Sequence, residues 1–130
     1  MIKGVGVDIE DLDRFWQMDQ HRLDQLVERI MTASESTTYK NISDTHEQRL
    51  YVAKHWSVKE AVAKSFGTGI IDDATFKNIE LFHDERGCPR INLLHGLADF
   101  QTKVHISISN DKDKVIAYAM CTAKWFDGVS

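Results

Sequence analysis

The segment from Trp56 to Gly69 carries the residue types in this chain that are best suited to chemistry. Its pattern predicts a helix that presents a carboxylate at Glu60 and an amine at Lys64, followed by a turn rich in glycine. Side chains four positions apart share one face of a helix, so these two groups project together. Such a face beside a flexible turn could hold a metal ion and a phosphate group. A solvated surface pair worth only about 0.3–0.5 kcal/mol is the competing interpretation.

The first strand supplies a second carboxylate. Residues 2–9 alternate, with Val5, Val7 and Ile9 on one side and Gly4, Gly6 and Asp8 on the other. The two glycines permit another element to approach the face that carries Asp8. If Asp8 and Glu60 meet, they suit Mg²⁺, which takes one or two protein carboxylates together with waters and substrate phosphates. An N-cap for the following helix is the alternative interpretation of Asp8.

The remaining pattern predicts the elements that must position these groups. Helical periodicity runs from Asp11 to Met31, Thr32–Glu35 forms a capping box, and a second box at Asp44–Glu47 opens a long helix ending near Phe66. Strands are expected at residues 77–83, 89–93, 103–109 and 115–122, with a short helix at 94–102. The order β-α-α-α-β-β-α-β-β predicts a single α+β domain, residues 1–130, in which a largely antiparallel sheet packs against the long helix.

Two surfaces are rich in cations. The first helix carries Arg14, Met18, Arg22, Gln25 and Arg29 on one stripe, which suits an acidic partner helix. The long helix carries Arg49, Lys54, His55, Lys59 and Lys64, which could neutralise phosphates. Ser107 and Ser109 share one strand face and offer hydroxyls to oxygen ligands. Solvated basic faces and ordinary edge-strand serines are the alternatives for these three features.

Composition excludes several classes of function. A net charge of −4 argues against general nucleic-acid binding, and without an apolar run of about 18 residues no membrane span is expected. Cys88 and Cys121 lack the spacing of a zinc site or a disulfide framework, which favours reduced thiols in the cytoplasm. No HxxxH, GxSxG or Walker-type motif is present.

Taken in order, these segments resemble the holo-acyl-carrier-protein synthase family, the small type of phosphopantetheinyl transferase. Gly4–Ile9 resembles the family's N-terminal strand, which ends in a metal-binding aspartate, and Arg29–Glu35 resembles its RxLTxxE element. Lys59–Lys64 with Gly67–Gly69 resembles KEAxxKAxGTG, the most specific signature. Gly87–Pro89 and His105–Ser109 match GxP and HxSxS. The matches extend along nearly the whole chain in the family's order.

The resemblance implies Mg²⁺-dependent transfer of the 4′-phosphopantetheine arm from coenzyme A to a serine of an apo acyl carrier protein, with release of adenosine 3′,5′-bisphosphate. It implies a cytoplasmic enzyme of fatty acid biosynthesis that forms a homotrimer with sites between subunits, and it leaves open whether the carrier protein is of the fatty-acid or the polyketide type. Asp8 and Glu60 would bind the metal, Glu60 or a water on the metal would take the serine proton, and Lys64 would offset phosphate charge. The implied contacts to coenzyme A are Arg49, Lys54, His55, Lys64, Gly67, Ser109 and Asn110, and those to the carrier protein are Arg14, Met18 and Arg22.

Two departures from the family pattern concern the nucleotide contacts. Asn110 stands where the family usually has histidine, and an asparagine can donate a hydrogen bond but cannot carry charge. His55 stands where the family has arginine, with Lys54 beside it as a substitute cation. The transferase is the favoured hypothesis because both carboxylates and Lys64 are kept. A non-catalytic or weakly active paralogue that binds carrier protein or coenzyme A is the alternative.

Overall fold

The computed structural model describes residues 1–67 and 73–124, which form helices and antiparallel strands. In chain order the elements are β1 (Ile2–Asp11), α1 (Asp13–Trp16), α2 (Gln20–Ile30), α3 (Ala33–Lys40), α4 (Thr45–Ser65), β2 (Ile79–His83), β3 (Pro89–Leu93), β4 (Thr102–Asn110) and β5 (Lys114–Ala123). Short 3₁₀ turns lie at Asp73–Asn78 and His95–Phe100. The predicted α+β class is confirmed. Within the described ranges, no helix is long and apolar enough to cross a membrane.

The strands of the described residues form two antiparallel sheets. One has the order β1-β5-β4, so the C-terminal strand lies between the other two, and β2 pairs with β3 as a separate hairpin. The predicted turn of that hairpin is confirmed, because Gly87 has a φ of 82°, a left-handed conformation that favours glycine. The Asp84 carboxylate accepts hydrogen bonds from the backbone of Arg86 and Cys88 within this turn.

Strand β1 lies directly on helix α4 because two of its residues have no side chain. A Cβ atom at Gly4 would lie 2.1 Å from the carbonyl oxygen of Ser65, and one at Gly6 would lie 2.1 Å from that of Ala61. Neither contact is physically acceptable, so both positions require glycine. The close approach expected on the Asp8 face is therefore confirmed, and the approaching element is α4.

Helix α4 begins at its predicted cap and buries its predicted face. The Asp44 carboxylate accepts the N–H of Glu47 at 2.8 Å, and Val58 and Val62 are fully buried. The helix ends at Ser65, and Gly67 follows with a φ of 94°. The remainder of the predicted glycine-rich turn, Thr68 and Gly69, lies outside the described residues.

The single helix predicted from Asp11 to Met31 is wrong. Strand β1 continues to Asp11, and the helical part is divided into α1 and α2. The division occurs because the Asp19 side chain accepts the N–H of Arg22 at 2.8 Å and starts a new helix there. Asp8 lies within the strand, so the alternative of an N-cap at this position is also wrong. Because the predicted helix is divided, the basic stripe is spread over α1, α2 and their connection.

Candidate active site

Asp8 lies where β1 packs on α4, and only 7% of its surface is exposed to solvent. Its Oδ1 atom is 3.3 Å from Nζ of Lys64, which also donates to the carbonyl of Val7 at 3.0 Å. The hydroxyl of Ser57 donates to the carbonyl of Asp8 at 3.4 Å. The second carboxylate oxygen, Oδ2, is buried and has no hydrogen-bond partner among the residues that the structure describes. Asp8 therefore has one oxygen paired with a cation and one available to a ligand.

Glu60 lies on the helix face that meets Asp8. It follows Ser57 by three positions and precedes Lys64 by four, so all three residues share one face of α4. Both flanking residues contact Asp8, through its main chain and its side chain respectively. Glu60 itself is partly buried. The packing of β1 on α4 thus brings the three predicted catalytic residues, Asp8, Glu60 and Lys64, to one side of the molecule.

This arrangement fits a divalent cation that is only partly ligated by protein. A buried carboxylate oxygen without a donor is the kind of ligand that Mg²⁺ accepts. Among residues 1–67 and 73–124, no three histidine, cysteine or acidic side chains lie close enough to hold a metal by themselves. A cation held by Asp8 and Glu60 would therefore take its other ligands from water or substrate oxygens, which Mg²⁺ commonly retains.

Glu10 is a neighbour of this site that the sequence patterns did not single out. It lies two residues after Asp8 on the same strand face, and its carboxylate accepts a hydrogen bond from Trp56 Nε1 at 3.1 Å. Its other oxygen accepts from the guanidinium of Arg14 at 3.1 Å. Burial is the main cause that raises the pKa of Glu10 to about 7, and the Asp8 carboxylate adds to it, because it repels ionised Glu10 and would accept a hydrogen bond from the protonated form. Trp56 and Arg14 act in the opposite direction.

Lys59 was grouped with the phosphate-neutralising cations, and the structure contradicts that expectation. Its side chain is completely buried, and Nζ donates to Oε1 of Glu35 at 2.9 Å, to the carbonyl of Phe76 at 2.8 Å and to the carbonyl of Ile79. All three ammonium donors are used, so none remains for a phosphate. Burial lowers the pKa of Lys59, and Glu35 opposes that effect.

Glu35 is the second half of this buried pair. The predicted capping box is confirmed, because its Oε1 accepts the N–H of Thr32 at 2.9 Å. Its Oε2 accepts the N–H of Leu81 on β2 at 2.7 Å. The pair therefore joins α3, α4 and the hairpin. A sequence signal was available, since Lys59 is separated from the buried Val52 and Val62 by seven and three positions, within their apolar stripe.

His55 is buried beside the same pair. Its Nδ1 lies 2.9 Å from the carbonyl of Tyr51, and its Nε2 lies 3.6 Å from Oε2 of Glu35. Burial lowers the pKa of His55 to about 4, although Glu35 acts in the opposite direction. The ring is therefore neutral near neutral pH and does not offset phosphate charge. Lys54 and His55 are adjacent and were both predicted to contact coenzyme A, but only Lys54 supplies a positive charge.

A pH-dependent stability follows from His55. The unfolded chain protonates this histidine below its ordinary pKa of 6.5, whereas the folded chain keeps it neutral down to about 4. The unfolded state binds more protons in that range, so stability falls as the pH is lowered through it. When the pH is lowered from about 7 to about 5, we expect the free energy of unfolding to fall less in His55→Gln than in the unsubstituted protein. Urea denaturation at each pH measures the difference, and His21→Gln, at an exposed position, should retain the original pH dependence.

A cleft of about 480 Å³ lies between α4, the β2–β3 hairpin and β4. Among its lining residues are Lys54, His55 and Asn110, all predicted to contact coenzyme A. The other lining residues are mostly apolar, with Glu47 and His83 as the further polar ones: Ile42, Glu47, Leu50, Tyr51, Leu81, His83, Pro89 and Ile108. A largely apolar cleft with a few polar groups is typical of a small-molecule site.

The other predicted coenzyme A contacts lie away from this cleft. Arg49 donates to the carbonyl of Met18 at 3.2 and 2.7 Å and to that of Thr45 at 3.1 Å, so it ties α4 to the connection between α1 and α2. Gly67 lies past the end of α4. Ser109 lies on the exposed face of β4, opposite to the face of Asn110, because successive strand residues point to opposite sides.

The cleft and the carboxylates also face different directions within one chain. Lys54 and Glu60 are six residues apart on α4, which separates them by about 120° around the helix and about 9 Å along its axis. The described residues of one chain therefore do not place Lys54 in the same pocket as Asp8 and Lys64.

The predicted docking residues lie around the break between α1 and α2. Arg14 is half-exposed, and its guanidinium lies 5.2 Å from the ring centres of both Phe15 and Trp56. Met18 is partly buried and packs against the core. Arg22 is exposed in the first turn of α2. Arg14 lies in α1, Met18 in the connection and Arg22 in α2, so the three residues do not belong to one continuous helix.

Comparison with known proteins identifies the class to which this fold and site belong. A sequence profile of the 4′-phosphopantetheinyl transferase superfamily matches residues 4–119. The chain is 36% identical over 125 residues to a holo-(acyl-carrier-protein) synthase of Blochmanniella pennsylvanica, covering 92% of this chain and 98% of the relative. It is 38% identical over 112 residues to one from Staphylococcus aureus, covering 85% of this chain and 87% of the relative.

A solved structure gives the same assignment. The crystal structure of a holo-(acyl-carrier-protein) synthase from Bacillus anthracis in complex with CoA (3′,5′-ADP) superposes with a TM-score of 0.77 and 32% identity, covering 95% of this chain and 98% of that one. The chain belongs to the 4′-phosphopantetheinyl transferase superfamily. Within that superfamily it is an enzyme of the holo-(acyl-carrier-protein) synthase family. The family resemblance predicted from the motifs is confirmed.

Proposed function

We propose that this protein transfers the 4′-phosphopantetheine arm of coenzyme A to a serine of an apo acyl carrier protein and releases adenosine 3′,5′-bisphosphate. The observation that carries the proposal is the contact of buried Asp8 with Lys64, together with Glu60 on the same helix face. The crystal structure with coenzyme A from a relative supports the choice of substrate. Fatty acid biosynthesis in the cytoplasm is the proposed setting, and the exposed Cys88 and buried Cys121 are both free thiols, as a reducing compartment requires.

In the proposed reaction the serine hydroxyl attacks the phosphorus that carries the pantetheine arm. A new O–P bond forms, the bond to the bridging pyrophosphate oxygen breaks, and the bisphosphate leaves with the electron pair. Asp8 and Glu60 would hold Mg²⁺, which when bound neutralises pyrophosphate oxygens and stabilises the leaving group. Glu60 is the proposed acceptor of the serine proton. Lys64, whose side chain is 52% exposed, can turn its ammonium toward phosphate oxygens while remaining near Asp8.

The cleft is the proposed site for the nucleotide end of coenzyme A. Its apolar walls suit an adenine base, Lys54 supplies charge for a phosphate, and Asn110 supplies a hydrogen bond. Arg49, Gly67 and Ser109 remain proposed contacts to coenzyme A. They lie outside this cleft, so they would contact another part of the same ligand or a ligand bound mainly by a neighbouring copy of the chain. Arg14, Met18 and Arg22 are the proposed contacts for the acidic carrier protein.

We propose a homotrimer whose sites lie between subunits. The outer face of the three-stranded sheet is apolar and open, with Val5, Val7, Ile9, Ile116 and Tyr118 each more than 40% exposed. Ser109 lies on this same face. Contiguous exposed apolar patches mark interaction sites. A neighbouring copy on this face would also account for the separation of cleft and carboxylates, because each site could combine groups from two chains.

Disrupting this face should separate the subunits. Tyr118 is 43% exposed on the central strand, so Tyr118→Glu places a charge in the middle of the proposed interface. We expect sedimentation velocity to show a shift from trimer to monomer and transfer activity to fall with it. Phe82→Glu is the matched control, since Phe82 is 44% exposed on the separate hairpin. A trimer that survives Tyr118→Glu would contradict this interface.

One assay tests the proposed activity. The protein is incubated with coenzyme A, Mg²⁺ and an apo acyl carrier protein, and the carrier is weighed by mass spectrometry. We expect the mass to increase by one phosphopantetheine, and the increase to disappear when EDTA replaces Mg²⁺. An unchanged mass across several apo carriers would reject the transferase and favour the non-catalytic paralogue. Transfer that persists in EDTA would reject the metal dependence alone.

A further inference from the structure

Glu10 joins the carboxylate site to the docking region. It lies on β1, its Oε2 accepts from Trp56 Nε1 of α4, and its Oε1 accepts from Arg14 of α1. Its side chain is only 15% exposed, compared with 48% for Arg14. The less exposed Glu10 therefore anchors an arginine whose side chain remains about half exposed.

Trp56 contributes to the same arrangement. The Arg14 guanidinium lies over the Trp56 ring at 5.2 Å, and the indole N–H is fixed by Glu10. A cation near an aromatic face is attracted to it, and a buried hydrogen bond orients the ring. Arg14 thus has a fixed ion-pair partner and a fixed stacking surface. An arginine held in this way loses less side-chain entropy when a partner binds it.

We propose that Glu10 is a positioning residue, which holds Arg14 in the orientation needed to bind an acidic carrier protein. This inference rests on the proposed function, specifically on carrier docking at Arg14. The Glu10 oxygens accept hydrogen bonds from Arg14 and Trp56, and its carboxyl also neighbours Asp8, so its proposed effect on docking is indirect. Its effect on docking is exerted through the arginine.

The direction in which the KM for the carrier changes distinguishes a positioning role of Glu10 from a simple effect of its negative charge. In an assay above about pH 8, where Glu10 is ionised, Glu10→Gln removes a negative charge, and by field alone that change should strengthen the attraction of an acidic carrier. If Glu10 positions Arg14, the same change should instead raise the KM for the carrier by about three- to tenfold. Because Glu10 also neighbours Asp8, the KM for coenzyme A is measured in parallel; a rise confined to the carrier supports the positioning role, and an equal rise in both KM values would overturn it. Asp11→Asn is the matched control, since Asp11 is the next carboxylate along, 68% exposed and paired with Lys114.

A double-mutant cycle gives the decisive test. KM for an apo acyl carrier protein is measured for Arg14→Gln, Glu10→Gln and the double variant. We expect Arg14→Gln to raise KM and Glu10→Gln to add nothing further in its presence, because a residue that acts through Arg14 has no effect once Arg14 is gone. Trp56→Phe keeps an aromatic side chain but removes the indole N–H that binds Glu10. It should therefore also raise the KM for the carrier.

The outcomes distinguish this inference from the proposed function. An unchanged or lowered KM in Glu10→Gln, or additive effects in the cycle, would overturn the positioning role while leaving carrier docking at Arg14 intact. An unchanged KM in Arg14→Gln would remove the docking assignment itself, and the positioning role with it. Circular dichroism of each variant verifies that the fold is kept.

Discussion

Asp8→Asn is expected to lower kcat for phosphopantetheine transfer by about a thousandfold while the protein remains folded. The substitution keeps the shape of the side chain but removes the negative charge, and Oδ2 is the buried oxygen without a hydrogen-bond donor in the described structure. An amide is a much poorer ligand for a divalent cation than a carboxylate. Glu60→Gln should have a similarly large effect, because Glu60 is both proposed ligand and proposed base. Mass spectrometry of the carrier, over a series of Mg²⁺ concentrations, measures both.

The control for this prediction is a carboxylate of the same strand that faces away. Asp11→Asn makes the same chemical change three residues later, at an exposed position paired with Lys114. It should keep nearly full activity and the same requirement for Mg²⁺. If Asp8→Asn retained most of its activity at ordinary Mg²⁺ concentrations, Asp8 would not be a metal ligand, and the proposed mechanism would lose its main support.

Lys59→Met is expected to cause the largest loss of stability, about 3–5 kcal/mol in the free energy of unfolding. Methionine fills a similar volume, so the effect comes from the charge that is removed. Glu35 would be left in the core without its cation, and the carbonyls of Phe76 and Ile79 would each lose a donor. Urea denaturation monitored by circular dichroism measures the change.

An exposed ion pair provides the comparison for Lys59→Met. Lys114 pairs with Asp11 at the surface, where both side chains are about half exposed or more. Lys114→Met should leave the free energy of unfolding nearly unchanged, because solvent screens such pairs. Adding Glu35→Gln to Lys59→Met should recover part of the loss, since it removes the uncompensated charge. Equal stabilities for Lys59→Met and Lys114→Met would mean that the buried pair does not support the fold.

Local patterns predicted much of the fold because the forces behind them act over a few residues. Alternation identified the strands, and the capping residues Thr32 and Asp44 identified the starts of two helices. The same approach failed between Asp11 and Met31, where the apolar stripe continues across the break. Phe15 and Leu23 are both fully buried although they belong to different helices. Periodicity alone did not show that Asp19 restarts the helix between them.

In the candidate site, too, some residues could be predicted from local sequence and others could not. Asp8, Glu60 and Lys64 could be proposed as site residues from residue types and motif spacing, because two carboxylates and a lysine suit the chemistry of phosphoryl transfer. The state of Lys59 and His55 could not be read in this way. Both were assigned to the cations of α4, and both are buried against Glu35, which lies 24 positions before Lys59. Burial and a distant partner determine their charge and role.

The amino-acid sequence by itself determined the family, most of the strands and helices, and which residues are candidates to bind a metal and a phosphate, because these depend on side-chain chemistry and short-range periodicity. Only the tertiary structure decided which of those side chains are accessible. The packing of β1 on α4 through Gly4 and Gly6 sets Asp8 beside Lys64. The same packing leaves Glu10 paired with Arg14. Such contacts join positions far apart in the chain, and their energies depend on burial, which no local pattern contains.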